Sequence, residues 1–242
     1  MQEPFYQKLE VALSEERLSA YKQDGAGSCT VMARYLLNIA VCESLYSPLG
    51  MCEIALRNAI HTAMSSFYGQ STWYDVAELS PWGYSQVGEA KQKIARSGKT
   101  VGPGRVVAEL HFGFWTSLFE DHYERQTRFL PRGIKKVFPG LPKSLHNRKN
   151  IKARLEQIRQ LRNRVFHHER IIHWNDLLCQ HARIVETIAW ISPELSDMAL
   201  KLDRVLEIHK AGIDPWIAKL RNHWPAKPSS GTGCEKSGGT AQ

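Results

Sequence analysis

Hydrophobic residues recur at helical spacing along almost the whole chain, and the long alternating Val/Ile/Thr runs typical of strands are missing. The pattern therefore predicts an all-α fold. The first predicted helix covers about 5–21, with Leu9, Leu13 and Leu18 on one face. A Gly-Ala-Gly-Ser loop at 25–28 follows it, and a second helix is expected over 31–46.

Two Ser-Pro pairs have the form of a helix N-cap followed by a first-turn proline. Ser47-Pro48 is expected to begin a helix that ends near Gly69, and Ser192-Pro193 one that ends near His209. After Gly69 we expect an irregular connection over 70–83, a short helix over 86–97, a flexible loop at 98–104 and an aromatic core segment at 106–115.

A long helix is predicted after Pro142, from Asn147 or Arg148 to about His168, and another over 174–191. The last residues, 225–242, are rich in Gly, Ser and Lys and contain no aromatic or large aliphatic side chain, which predicts a disordered tail. The 242-residue length favours a single all-helical domain, 1–224, in front of that tail.

Composition narrows the class of protein. With 43% hydrophobic and 23% charged residues the chain has the balance of an ordinary globular protein. Its five cysteines include no CxxC pair or zinc-finger spacing, so reduced thiols are expected. We expect a cytoplasmic protein without a membrane segment, because no apolar run approaches roughly 18 residues and the N-terminus lacks the order of a signal peptide.

The formal net charge of +8 is concentrated in one segment, 125–170. This segment holds fourteen Lys and Arg residues against Glu156 and Glu169, a net charge of +12, so the rest of the chain sums to −4. A local basic patch is typical of proteins that bind polyanions, with nucleic acid the first expectation. The candidate RNA-binding residues are Lys135, Lys136, Lys149, Lys152 and Arg159. A basic face that only aids solubility is the alternative.

On a helical wheel of the predicted 148–168 helix, Arg162 lies inside the apolar stripe formed by Leu155, Ile158, Leu161 and Val165. A guanidinium among buried positions needs a carboxylate, hydrogen-bond acceptors or an anionic ligand. Asn163 and His167, at i and i+4, are adjacent on the neighbouring face, whereas His168 points away from Asn163. We therefore expect Arg162, Asn163 and His167 to face one cleft.

These three residue types suit RNA cleavage by the RNA's own 2′-hydroxyl. An imidazole, which titrates near about pH 6.5, exchanges protons at neutral pH, and an arginine holds the scissile phosphate without any metal. The spacing alone has little specificity, because Arg105 to His111 and Arg204 to His209 resemble it. Only Arg162 is followed directly by an amide and lies in the basic segment.

Residues 161–169, LRNRVFHHE, resemble the signature of the Abi-like (abortive infection) proteins, a branch of the HEPN superfamily whose motif is Arg, a polar residue, and a His four to six positions after the Arg. Two further stretches agree in the family's order: ESLYSPL (43–49) followed by EIALRNAI (53–60), and AELHFGFW (108–115). The resemblance spans roughly residues 30–195.

The resemblance implies a HEPN-like helical bundle with additional helices, frequent homodimerisation across the motif helices, and a metal-independent endoribonuclease used as a toxin or in antiviral defence. Arg162, Asn163 and His167 would be its catalytic residues. Its partners would be single-stranded RNA, a second copy of the chain, and an antitoxin or phage-derived trigger, with no cofactor.

Several alternatives remain open at this point. In one alternative, a carboxylate clamps Arg162 for purely structural reasons and His167 caps the helix. Glu53 and Arg57 either form an i, i+4 salt bridge or leave Glu53 to orient Arg162, and His168 is a further supporting candidate. Metal binding by His168, Glu169 and His173 is disfavoured because they lack a recognised spacing. The runner-up function is a non-catalytic RNA-binding or partner-binding helical module.

Overall fold

The structure is a computed structural model in which residues 3–23, 25–126 and 129–223 are described. The regular secondary structure of these residues is helical and no strand occurs among them, which confirms the all-α prediction. The predicted disordered tail, 225–242, lies outside the described residues.

The α-helices follow one another with short connections, and two 3-10 turns lie at Trp73–Asp75 and Lys143–Leu145. In chain order the helices are α1 (Glu3–Leu13), α2 (Glu15–Ser19), α3 (Ser28–Tyr68), α4 (Pro81–Arg96), α5 (Pro103–Glu109), α6 (Phe112–Ser117), α7 (Asp121–Gln126), α8 (Phe129–Val137), α9 (Arg148–Phe166), α10 (Leu177–Ile191), α11 (Pro193–Leu202), α12 (Val205–Ala211) and α13 (Asp214–His223).

The chain divides into two compact units. The first combines the residues up to Ile39 with those from His209 onward, and Tyr21 packs edge-to-face on Tyr35 within it, with the ring centroids 5.6 Å apart. The second runs from Ala40 to Ile208 and contains every candidate site residue. The large side chains buried in the second unit are Trp73, Tyr74, Phe114, Trp115, Phe119 and Phe138.

The aromatic segment 106–115 lies in this core, as predicted. Phe114 packs edge-to-face on Trp115 with the centroids 5.1 Å apart, and Trp115 Nε1 donates a hydrogen bond of 3.1 Å to the carbonyl of Leu110. Phe112, Phe114 and Trp115 are all at least 98% buried, so they pack inside the protein and offer no stacking surface.

The prediction that Ser47-Pro48 begins a helix is wrong. Helix α3 continues from Ser28 to Tyr68 with Pro48 inside it. An interior proline costs about 3 kcal/mol, because it removes one backbone hydrogen bond and crowds the preceding turn. Leu45, Leu49 and Cys52 are nearly fully buried on both sides of the proline, and each such apolar side chain contributes about 1.5–3 kcal/mol. Tertiary burial therefore overrides the local signal.

Helix α3 is also long and apolar enough, by length and composition, to cross a membrane, a criterion that the sequence analysis expected no segment to meet. The best 18-residue window has a mean hydropathy of 1.3, but 56% of that window is buried inside the protein. A core helix of a soluble protein has the same composition, so this window is weak evidence for a membrane span.

Two long predicted helices are each split in the structure. The predicted 5–21 helix breaks at Ser14, which has φ 69° and whose hydroxyl accepts the N–H of Arg17 as the N-cap of α2. The helix predicted from Ser192 to His209 breaks after Leu202, where the Asp203 carboxylate accepts the N–H of Val205 at 2.9 Å. In both cases a short polar side chain competes with the helical hydrogen bonds.

Two predicted helix starts are also displaced, and one helix begins inside a predicted loop. Helix α4 begins at Pro81, within the connection expected at 70–83, because Ser80 accepts the N–H of Gly83 and Pro81 is pre-set for the first turn. Helix α5 begins at Pro103, inside the loop expected at 98–104, for the same proline reason. Helix α10 begins at Leu177, three residues after its predicted start, because a turn at Asn175 and Asp176 precedes it.

Candidate functional site

The helix that carries the motif, α9, is built as its sequence pattern predicts. Asn147 is its N-cap and accepts the N–H of Asn150 at 2.8 Å. The buried positions recur along one stripe that the helical wheel predicts: Ile151, Leu155, Ile158, Leu161 and Val165. The motif residues therefore lie on a helix whose rotation is fixed by core packing.

Helix α9 ends at Phe166, two residues before the predicted end. His167 is the C-cap, and His168 adopts a left-handed conformation with φ 54°. The N–H of His168 bonds to the carbonyl of Val165 at 3.1 Å, and the N–H of Glu169 to that of Arg164 at 2.9 Å. This is the Schellman pattern, in which glycine usually takes the position held here by His168.

Arg162 packs against α3 and is only one-quarter exposed. Its Nε lies 3.6 Å from Oε2 of Glu53, and its guanidinium carbon lies 4.2 Å from the centre of the Phe166 ring. At 3.6 Å the two groups form an ion pair, but the distance is too long for a hydrogen bond. The buried Nε therefore has no acceptor among the described residues. Arg162 is thus held by charge and stacking, while its buried Nε–H has no hydrogen-bond acceptor in the described structure.

The side of α3 that faces Arg162 repeats this feature. Arg57 lies one helical turn after Glu53, and its Nε is likewise buried without an acceptor in the described part of the chain. Tyr46 packs edge-to-face on Phe166 with the ring centroids 4.9 Å apart, which holds the ring beneath the Arg162 guanidinium. Arg57 is therefore a second arginine of α3 and α9 whose buried Nε has no acceptor in the described part of the chain.

Asn163 and His167 follow Arg162 toward the end of α9. Asn163 is half-buried, and its carbonyl accepts the N–H of His167 at 2.9 Å. The His167 side chain is exposed. Within the described residues no hydrogen bond joins the side chains of Arg162, Asn163 and His167. The structure places them at one helix end without direct contact between the three polar groups.

The surroundings of this helix end are electropositive. Arg164 and Glu169 form an ion pair across the Schellman turn. Burial, together with the nearby charges of Arg170 and Arg164, lowers the pKa of His173 from its ordinary value. Among the described residues, no group of three His, Cys, Asp or Glu side chains is arranged to hold a metal ion. The imidazole and guanidinium groups at this helix end are suited to proton transfer and anion binding.

The candidate RNA-binding residues fall into two kinds. Lys135, Lys136, Lys149 and Lys152 are all exposed, although Lys136 Nζ also lies 3.4 Å from Oγ of Ser66. Arg159 instead donates two hydrogen bonds, of 2.8 and 2.7 Å, to the two oxygens of Glu156. Its charge is largely compensated, so the lysines carry the available positive charge.

Other arginines of the basic segment are paired in the same way. Arg154 pairs with Glu186 at 2.6 Å, and its guanidinium lies 4.4 Å above the Trp190 ring. Arg148 is 94% buried and contacts Asp121 at 2.5 Å, Glu124 at 2.6 Å and the Phe119 carbonyl at 3.1 Å. The side chains of Arg125, Arg128 and Arg132 lie outside the described part.

The structural role of Arg148 was missed by the sequence analysis, which counted it only as part of the basic patch. A signal was present, because Arg148 and Phe166 fall on the helical wheel at the edge of the apolar stripe. The Phe166 contact with Arg162 is an i, i+4 pair and was equally visible in the sequence.

No protein-family description, curated protein or solved structure matches the chain.

Proposed function

We propose that the protein is a metal-independent endoribonuclease of the HEPN type. It would cleave single-stranded RNA in the cytoplasm as a toxin or an abortive-infection defence protein. One observation carries the proposal: Arg162 is held at the α3–α9 contact by Glu53 and Phe166 with a buried Nε–H that lacks an acceptor, and an exposed histidine lies five residues later. A buried donor without an acceptor costs free energy, and a ligand that supplies the acceptor is one explanation for such a group.

In the proposed reaction, the 2′-oxygen of one ribose attacks the adjacent phosphorus and the 5′-oxygen of the next nucleotide leaves. The products are a 2′,3′-cyclic phosphate and a free 5′-hydroxyl. Arg162 binds the non-bridging oxygens, whose charge increases in the transition state, and His167 transfers a proton. Asn163 supplies an amide for the same phosphate or the ribose. Neither a metal nor a cofactor takes part.

The reaction needs one group that removes the 2′-proton and another that protonates the leaving oxygen. A homodimer through the motif helices would supply two copies of His167 to one cleft, and an isologous interface achieves this with one surface. An antitoxin or a phage-derived trigger would then act by covering or assembling that cleft.

The test is incubation of single-stranded RNA with pure protein in EDTA. We expect fragments that end in 2′,3′-cyclic phosphate, which His167→Ala abolishes and His146→Ala preserves. His146 is the matched control because it is an exposed histidine outside the motif. Cleavage at the wild-type rate by His167→Ala, or full activity of a strictly monomeric variant, would overturn the mechanism.

A second candidate is a non-catalytic RNA-binding or partner-binding helical module. It is favoured by the contacts of Arg162 with Glu53 and Phe166 inside one chain, which give the arginine an architectural role. This candidate predicts RNA binding without cleavage in the same assay, and equal RNA binding by His167→Ala and the unaltered protein.

A further inference from the structure

A cavity of about 560 Å³ opens between the start of α4, helix α6 and the middle of α9. This volume lies in the range of small-molecule sites. The lining residues that matter for its chemistry are Trp82, Ser117, Glu120, Lys152, Glu156 and Arg159. Two of them, Lys152 and Arg159, are candidate RNA-binding residues that the sequence analysis selected on charge alone.

Trp82 gives the cavity an aromatic wall. Its side chain is 45% exposed, whereas Trp73 and Trp115 in the core of the same unit are fully buried. Burial of a large aromatic side chain stabilises a fold, and an exposed indole forgoes that stabilisation. An exposed indole at a cavity rim therefore indicates a binding surface. An indole face stacks on any nucleobase.

The charged groups of the cavity are arranged in two sets. Arg159 and Glu156 satisfy each other through two hydrogen bonds, and these bonds lower the pKa of the Glu156 carboxyl. Glu120 and Lys152 have no such mutual pair in the described structure and are both exposed. The cavity therefore offers one ammonium group, one carboxylate and one aromatic face, which fits a nucleotide with a phosphate, a base and exocyclic amino groups.

The position of the cavity on α9 links it to the proposed catalytic end. Lys152, Glu156, Arg159, Asn163 and His167 follow one another at spacings of three or four residues, which places them along one face of the helix. Glu156 and His167 are about 16 Å apart along the axis, at 1.5 Å per residue. A nucleic acid strand that lies on this face would contact both the cavity and the proposed catalytic end of α9.

We propose that this cavity is a nucleotide-binding subsite for single-stranded RNA, in which the base stacks on Trp82 and the phosphate contacts Lys152. The subsite holds the strand along α9 and presents a phosphate outside the cavity to Arg162 and His167. The placement of the strand toward Arg162 and His167 rests on the proposed function, whereas nucleotide binding in the cavity does not depend on it.

The test measures equilibrium binding of 2′-O-methyl RNA oligonucleotides, which cannot be cleaved because the 2′-oxygen is blocked. We expect Trp82→Ala to weaken binding about 10-fold, from the loss of one stacked base. Tyr84→Ala is the matched control, since Tyr84 is an equally exposed aromatic residue on α4 that does not line the cavity. Lys152→Gln should also weaken binding, unlike Lys201→Gln, which alters an exposed lysine on α11.

A second arm compares RNA with free nucleoside monophosphates, which share the same base and phosphate chemistry. RNA should bind more tightly, because the strand also contacts the rest of α9. Equal binding by a free monophosphate would overturn the RNA assignment, and equal binding by Trp82→Ala and Tyr84→Ala would overturn the cavity itself.

The two proposals fail in different ways. Loss of RNA binding in Trp82→Ala, with no cleavage by the unaltered protein, removes the endoribonuclease and leaves the subsite. Cleavage with an unchanged KM and an unchanged pattern of fragments in Trp82→Ala removes the subsite and leaves the endoribonuclease.

Discussion

Helix α9 carries a fully paired arginine at its start and an incompletely paired one near its end. At its start, Asn147 caps the helix and Arg148 has acceptors at 2.5, 2.6 and 3.1 Å. At its end, Arg162 has a carboxylate at 3.6 Å and a buried Nε without an acceptor in the described structure, and His168 occupies a left-handed position. Unmet donors and backbone strain that concentrate at one end of a helix suggest that this end has a task other than stability.

The largest expected effect is on cleavage. Arg162→Gln removes the charge that would bind the phosphate, so we expect cleavage to fall about 100- to 1000-fold. Arg148→Gln, at the opposite end, should leave the rate of the folded protein within about threefold, because its partners are protein groups. Initial rates on one RNA, measured at a temperature where both variants are folded, provide the comparison. A greater loss in Arg148→Gln than in Arg162→Gln would reverse the assignment of the two ends.

Stability should change in the opposite order. Arg148→Met removes hydrogen bonds to two carboxylates and the buried Phe119 carbonyl, so we expect a loss of roughly 2–3 kcal/mol in the free energy of unfolding. The loss is moderated because Asp121 and Glu124 are exposed and regain water. Arg162→Met should cost about 1 kcal/mol, since it breaks a long ion pair and a cation–π contact with Phe166. Urea unfolding of both variants tests this order, which equal losses would contradict.

Both ends of α9 show how far the sequence could predict the site. The buried stripe and the place of Arg162 within it followed from helical periodicity, because the period is a local property of the chain. The partner of Arg162 did not, since Glu53 lies more than a hundred residues earlier and only tertiary packing brings it to 3.6 Å. The position of Glu53 in the sequence allowed either Arg57 or Arg162 as its partner.

The errors in the predicted fold have the same origin. Ser47-Pro48 and Ser80-Pro81 carry the same local signal, yet the first lies inside α3 and the second begins α4. Burial on both sides of Pro48 decides the first case, and no local pattern contains that information. The breaks at Ser14 and Asp203 depend on single side-chain hydrogen bonds, which periodicity does not register.

The basic residues of α8 and α9 provide a third comparison, between exposed lysines and paired arginines. Neutralising Lys135, Lys136, Lys149 and Lys152 together should lower the salt dependence of RNA binding by up to about 3 in the slope of log K against log salt. Arg154→Gln should change that slope little, because Glu186 and Trp190 already hold its guanidinium. Binding measured across a range of salt concentrations tests both. A slope that stays unchanged in the quadruple variant would exclude the patch as the RNA-binding surface.

Two histidines away from α9 set a limit on the pH at which these comparisons hold. Burial lowers the pKa of His61, whose Nδ1 accepts the Trp73 indole N–H at 3.1 Å, and of His181, where the nearby Asp203 opposes the effect only in part. Below their ordinary value of about 6.5 the unfolded chain takes up protons first, so the free energy of unfolding should fall as the pH falls.

Urea unfolding at pH values on both sides of about 6.5 checks this direction. His61→Gln combined with His181→Gln should reduce the loss at acid pH, whereas His146→Gln, an exposed position, should not. If the double variant loses as much stability in acid as the unaltered protein, other groups cause the effect. A pH profile of cleavage reports on His167 only where the protein remains folded.

The smallest expected effect concerns the left-handed turn that ends α9. His168 has φ 54°, a conformation that costs a non-glycine residue roughly 1 kcal/mol, and glycine adopts it without that cost. His168→Gly should therefore raise the free energy of unfolding by about 0.5 kcal/mol, after the greater flexibility of glycine in the unfolded chain is subtracted. His168→Ala, which keeps the strain, is the matched control and should not stabilise the protein. Cleavage by His168→Gly at a rate near that of the unaltered protein would show that the reaction needs neither the His168 side chain nor the strain at this position, while a loss as large as that of His167→Ala would make His168 part of the reacting site.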